Sequence, residues 1–159
     1  MIFALSSIVK PNRIKLTKVD FHDIAFMPDY KLTYSVIVAR FRRKWILVRH
    51  HLRDTFEIPG GHIEEGESAD AAAARELREE TGATEFALEC VATYSVEKDG
   101  KTGWGKLYFA EVSAFGPLID TSEIVEVIVA DKLPEKLTYP DIQPVLLERV
   151  IRYIQGSPS

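Results

Sequence analysis

One run of 23 residues constrains this chain more than any other: GHIEEGESADAAAARELREETGA, residues 61–83. Its alanines predict a helix, and on a helix Glu76, Glu79 and Glu80, at i, i+3 and i+4, share one face. Like charges at that spacing repel by about 0.2–0.5 kcal/mol per pair. A hard divalent cation lying over the carboxylates is the simplest compensation, and it would let the chain handle phosphates through a metal. The competing explanation is a merely solvated acidic face.

The elements around the run can be read from pattern. Residues 14–21 alternate in part and predict a strand. Residues 35–41 and 45–50 predict a hairpin of core strands about an Arg42-Arg43-Lys44 turn. A strand over 55–58 should stop at Pro59-Gly60-Gly61, which opens a loop. Ser68 suits a helix N-cap, Asp70 its positive end, and Gly82 the residue that stops it. Ala69, Ala73 and Leu77 form the stripe that should pack on a sheet. Strands follow over 86–96 and 106–112 about a Lys98-Asp99-Gly100-Lys101 turn, and another over 124–130. Residues 143–155 carry Val145, Leu146, Val150, Ile151 and Ile154 at helical spacing, a closing amphipathic helix. Strands and helices mixed without βαβ alternation predict an α+β layer sandwich. At 159 residues and 46% hydrophobic, the chain is expected to be one domain over 1–159.

Charge adds a second signal. Net charge is −4, yet residues 61–83 alone carry −5, so the remainder is close to neutral. Residues 40–53 hold Arg40, Arg42, Arg43, Lys44, Arg49 and Arg53 with no acid. Acids followed by arginines suit a polyphosphate bridged by metal and clamped by guanidinium. Arg42, Arg43 and Lys44 are better read as solubilising turn charges; Arg49 and Arg53 are the candidate phosphate ligands. The balance advertises no nucleic-acid or membrane partner. A single cysteine, Cys90, allows no intramolecular disulfide, reads as structural, and fits a reducing cytoplasm. Neither a signal peptide nor an apolar stretch of about twenty residues is expected.

Gly61, Glu67, Arg75, Glu76, Glu79, Glu80 and Gly82 at these offsets resemble the Nudix box, the signature of the Nudix hydrolase family. With each type at about 7%, seven coincidences arise by chance about once in a hundred million starts. The one departure is Ala83, where the family usually has Ile, Leu or Val. The resemblance implies a Nudix-like α/β/α sandwich, a mixed sheet between helices. It implies Glu76, Glu79 and Glu80 as metal ligands, joined by the carbonyl of Gly60, and Glu67 and Arg75 as architecture orienting them. Gly60 and Gly61 suit close approach of backbone to the metal. Hard oxygen ligands imply Mg²⁺, with Mn²⁺ as the alternative, and the lack of a Cys/His cluster argues against zinc.

The family often takes its general base from a glutamate beyond the box. Glu126 is the first choice and Glu123 the second, with Glu76 or Glu79 able to serve from within. Trp104, Tyr108, Phe26 and Tyr94 could stack a base or lie in the core. The family's ADP-ribose and dinucleoside polyphosphate markers, a proline and a tyrosine beyond the box, are missing from their places. What remains resembles the MutT-type nucleoside triphosphate pyrophosphohydrolases and, more weakly, the YtkD-type enzymes that clear oxidised guanine nucleotides such as 8-oxo-dGTP. Residues 44–47, 56–61, 107–110 and 133–135 and His50 carry that weaker similarity. The partner implied is a small nucleotide. The alternatives are a triphosphorylated RNA 5′ end and a nucleotide-sensing module without catalysis, and oligomeric state is open.

Overall fold

The computed structural model describes residues 16–156. The elements are β1 (Lys18–His22), β2 (Tyr34–Phe41), β3 (Lys44–His50), β4 (Gly60–His62), α1 (Ala69–Thr81), β5 (Ala83–Lys98), β6 (Lys101–Phe115), β7 (Ile124–Ala130) and α2 (Gln143–Ile154). Seven strands form one sheet in the order β1-β5-β6-β2-β3-β7, with β4 paired to β2. The β2–β6 pairing is parallel and the others antiparallel, so the sheet is mixed.

Alternation along the strands makes two cores. Ile37, Ala39, Ile46, Tyr108 and Ala110 face Ala73 and Leu77 of α1. Their neighbours Val38, Leu47 and Leu107 face Ile142, Leu146 and Val150 on the other side. The helices therefore cover opposite faces, the expected α+β sandwich. Each buried Leu or Ile contributes about 1.5–3 kcal/mol to holding a layer in place.

The turns follow their chemistry. Asp99 and Gly100, both at positive φ, close β5 onto β6. Arg42 and Arg43 adopt the same left-handed pair without a glycine, and Lys44 already lies in β3 opposite Phe41. The β5–β6 hairpin runs well past 86–96 and 106–112. Gly105 permits this, because a Cβ there would lie 2.7 Å from the Tyr34 carbonyl and 2.8 Å from the Tyr94 ring.

Two expectations are corrected. Residues 55–58 form no regular strand; their backbone makes two isolated bridges, Val48↔Glu57 and Phe56↔Leu137. Gly60 and Gly61 do not open a loop but pair with Val36 and Ser35 as the short strand β4. A Cβ on Gly60 would sit 2.7 Å from the Ser35 carbonyl, so glycine serves close strand approach. Of the strand expected over 14–21, residues 14 and 15 lie outside the described residues, 16 and 17 are not in a strand, and 18–21 fall in β1. Within α2, Leu146 and Val150 are buried while Val145 is exposed.

Candidate active site

α1 begins and ends as its residues dictate. The Ser68 hydroxyl accepts the Ala71 N–H at 3.1 Å, and Gly82 at φ 76° donates its N–H to the Arg78 carbonyl. Polar links then fix the helix on the sheet. The Tyr108 hydroxyl donates to Asp70 at 2.5 Å, and that of Ser35 to the Ala69 carbonyl at 2.7 Å. Ala83, small for its position, is buried beside Leu77 in the same core.

A cleft opens between this helix, β4 and the segment after β3. His50, Arg53, Glu57, Glu76, Glu80 and Glu123 are among the residues lining it, with Gly60 and Gly61. Glu80 is almost wholly buried, and its Oε1 accepts the Gly60 N–H at 2.8 Å. Glu76 lies against Gly61 so closely that a Cβ there would collide with its carboxylate. Glu79 is the most open of the three, with 39% of its side chain exposed, and is not in the lining.

Arg75 organises the near side. Its Nε and Nη2 donate to the Glu67 carboxylate at 2.7 and 2.8 Å, and Nη1 donates to Glu76 at 2.8 Å and Glu79 at 3.2 Å. Nη2 also reaches the His62 carbonyl at 3.1 Å. Bound this way, the Glu67 carboxyl is pulled down to about 2 by the Arg75 hydrogen bonds, helped by the Glu64 amide. Burial pushes Glu76 up to about 7 despite Arg75, with the charges of Glu80 and Glu79 adding to the rise.

On the far side, Arg53, a candidate from the sequence, is joined by His50 and Glu57, to which the sequence assigned no role in the site. His50 Nε2 lies 2.5 Å from Glu57 Oε1 and 3.2 Å from Glu80 Oε2. Arg53 Nη1 donates to the other oxygen of Glu57 at 2.8 Å. Hydrogen bonds to Glu57 and Glu80 raise His50 to about 10 against the effect of burial, so the ring is charged at neutral pH. Burial raises Glu80 although His50 and the Gly60 amide oppose it. Burial acts on Glu57 in the same sense, but His50 and Arg53 outweigh it and the carboxyl ends below its ordinary value. One signal for Glu57 was available: a charge flanked by Phe56 and Ile58, two residues before Pro59-Gly60.

Other candidates fall elsewhere. Glu126 pairs with Arg49 across β7 and β3, their side chains 3.1 Å apart, and Arg49 also donates to the Arg53 carbonyl. By register Glu126 shares the face of Ile128 and Ala130, which pack in the α2 core, not that of the box helix. Neither Glu126 nor Arg49 lines the cleft, whereas Glu123 and Arg53 do. Tyr94 and Tyr108 are core residues, while Phe26 and Trp104 gather with His22 in an aromatic cluster outside the cleft lining.

The donors fit a hard divalent cation: all are oxygens, the backbone is stripped of Cβ atoms beside Glu76, and burial raises both Glu76 and Glu80 against the opposing effects of Arg75 and His50. Among the described residues no group of three or more His, Cys, Asp or Glu side chains is arranged to hold a metal ion, and Glu76 and Glu80 are turned instead to Arg75 and His50. No described helix is long and apolar enough to cross a membrane.

Comparison with known proteins bears on the family and the fold. A candidate 8-oxo-dGTP diphosphatase of Bacillus subtilis (strain 168), YtkD, is 35% identical over 102 residues, 64% of each chain. An 8-oxo-(d)GTP phosphatase of Mycolicibacterium smegmatis is 32% identical over 67% of this chain and 34% of its own. The chain thus spans less than two thirds of either relative. The crystal structure of a Bacillus subtilis pyrophosphohydrolase, a point mutant, superposes with a TM-score of 0.72 at 27% identity, covering 87% of this chain and 92% of that one. The NUDIX domain model matches residues 29–147, and the chain belongs to the Nudix hydrolase family, whose members generally use divalent metal ions.

Proposed function

We propose that the chain, acting as a single domain over 1–159, hydrolyses a nucleoside triphosphate, including oxidised guanine nucleotides such as 8-oxo-dGTP, to monophosphate and pyrophosphate. One observation carries this reading: Glu76 and Glu80, two carboxylates of one helix face, meet the Gly60-Gly61 strand in a single cleft. The activities for which the Bacillus and Mycolicibacterium relatives are named support the substrate class.

Glu76, Glu79, Glu80 and the Gly60 carbonyl would hold the ion, Mg²⁺ or alternatively Mn²⁺. When bound, it supplies neutralisation of phosphate oxygens and a more acidic water. The chain contributes orientation. Arg75 fixes Glu76 and Glu79 relative to the loop through Glu67. Arg53 stands in the lining, bonded to Glu57 through Nη1, with a guanidinium that suits a phosphate oxygen. Glu123, at the head of β7, is better placed than Glu126 to take the proton of the attacking water.

Turnover of a panel including 8-oxo-dGTP, dGTP and ATP, with Mg²⁺ or with EDTA, tests the reading. Metal-dependent release of pyrophosphate is expected, and turnover of no nucleoside polyphosphate defeats it. A second reading, removal of pyrophosphate from triphosphorylated RNA 5′ ends, is favoured by the likeness to the Bacillus pyrophosphohydrolase. Such a substrate wants a cationic track. Arg42 and Arg43 stand at the opposite end of β3 from His50, about 20 Å away, so the track would rest on His50, His51 and Arg53. Preference for RNA over free nucleotide, with a steep fall in rate as salt rises, would select this reading.

A further inference from the structure

Glu80 is held at both oxygens. Oε1 accepts the Gly60 amide, which β4 fixes in place, and Oε2 faces His50 Nε2. A cation captured by Glu80 competes with these donors for the carboxylate lone pairs, and at Oε2 it meets the imidazole. The amide belongs to backbone paired with β2 and cannot swing away, so the imidazole is the exchangeable partner. His50 already has somewhere to go: its shorter contact, 2.5 Å, is to Glu57, and the contact to Glu80 is the longer at 3.2 Å. Arg53 anchors the far oxygen of Glu57, which keeps that acceptor in place. Glu57 and Glu80 are both buried, so neither can lose its donor to water alone.

We propose that His50 is a positioning residue that occupies Glu80 until a divalent cation takes it, with Glu57 retaining the imidazole afterwards. The inference rests on Glu80 being a metal ligand. It assigns Glu57 a role without placing it on the metal: it withdraws a competing donor. Removal of the two partners should therefore move cation affinity in opposite directions. Without His50, Glu80 has no competing side-chain donor and binds more tightly. Without the Glu57 charge, His50 stays on Glu80 and the ion binds more weakly.

Mn²⁺ binding, followed by electron paramagnetic resonance, measures this without any substrate. His50→Ala should lower the Mn²⁺ Kd by about tenfold, and Glu57→Gln should raise it by a similar factor, the scale of one charge-assisted hydrogen bond. Nitrogen-15 spectra of the wild type provide a reading that needs no variant. On adding Mg²⁺ the His50 Nε2 signal should shift while keeping the character of a hydrogen-bonded N–H. Unchanged affinity in both variants, shifts of the same sign, or a His50 signal indifferent to Mg²⁺ would overturn the proposal and leave the metal site standing. A wild type that binds no Mn²⁺ would overturn the proposal together with the reading of Glu80 as a ligand.

Discussion

Two clamps hold the box carboxylates, and they are built differently. Arg75 takes every partner from within 13 residues of itself: Glu76, Glu79, Glu67 and the His62 carbonyl. His50 takes Glu57 from an irregular segment and Glu80 from the helix, 30 positions away, brought together by the Val48↔Glu57 bridge and by α1 lying on the sheet. The Arg75 clamp is written in spacing and the His50 clamp in topology. A signature motif therefore defines only the half of a site that its own segment supplies.

Substitutions put this contrast to the test. Gly61→Ala sets a methyl group into the Glu76 carboxylate; kcat should fall by about a hundredfold, with Tm shifted by less than about 5 °C. A kcat near wild type would mean that the position of Glu76 is not critical. Arg75→Ala leaves Glu67 and Glu76 without their main donor. Urea unfolding should show a loss of about 2 kcal/mol, less than for a wholly buried pair because the guanidinium remains partly exposed.

Glu123→Gln and Glu126→Gln separate cleft from sheet: the first should lower kcat by at least about tenfold and the second by less than about twofold. The reverse order would return the general base to Glu126 and place the β7 register in question. The smallest effect concerns pH. Glu67 is depressed to about 2 in the folded chain, so its contribution to stability is present above the ordinary value near 4.5 and is lost as pH falls from there towards 2. Acid unfolding curves of Glu67→Gln should be flatter over that interval than those of the wild type.

Much of the architecture was legible because it rests on local rules. The hairpin about Asp99-Gly100, the Ser68 cap, the Gly82 stop and β7 follow from turn chemistry and period. Residues 55–58 read as a strand because Phe56 and Ile58 alternate with Thr55 and Glu57, yet tertiary packing gives their backbone two isolated bridges. Gly60-Gly61 read as a loop because glycine disfavours strands, but close pairing with Ser35 and Val36 requires it. Within the site, Arg75 and the glutamates were visible in one segment. Glu126 and Arg49 became candidates by position alone, and only the pairing register shows that they satisfy each other away from the cleft. The pairing of His50 with Glu57 and Glu80 was unreadable because it depends on which strand lies beside which.

Everything in the site turns on whether the carboxylates of α1 hold a divalent cation against a chain of phosphates. Pyrophosphate release from 8-oxo-dGTP, measured as Mg²⁺ is titrated into wild type and Glu79→Gln, addresses this without intermediaries. Saturable activation by Mg²⁺ is expected, none in EDTA, and a loss of about a thousandfold in the variant. Equal rates in EDTA and Mg²⁺, or a Glu79→Gln enzyme as fast as wild type, would refute it.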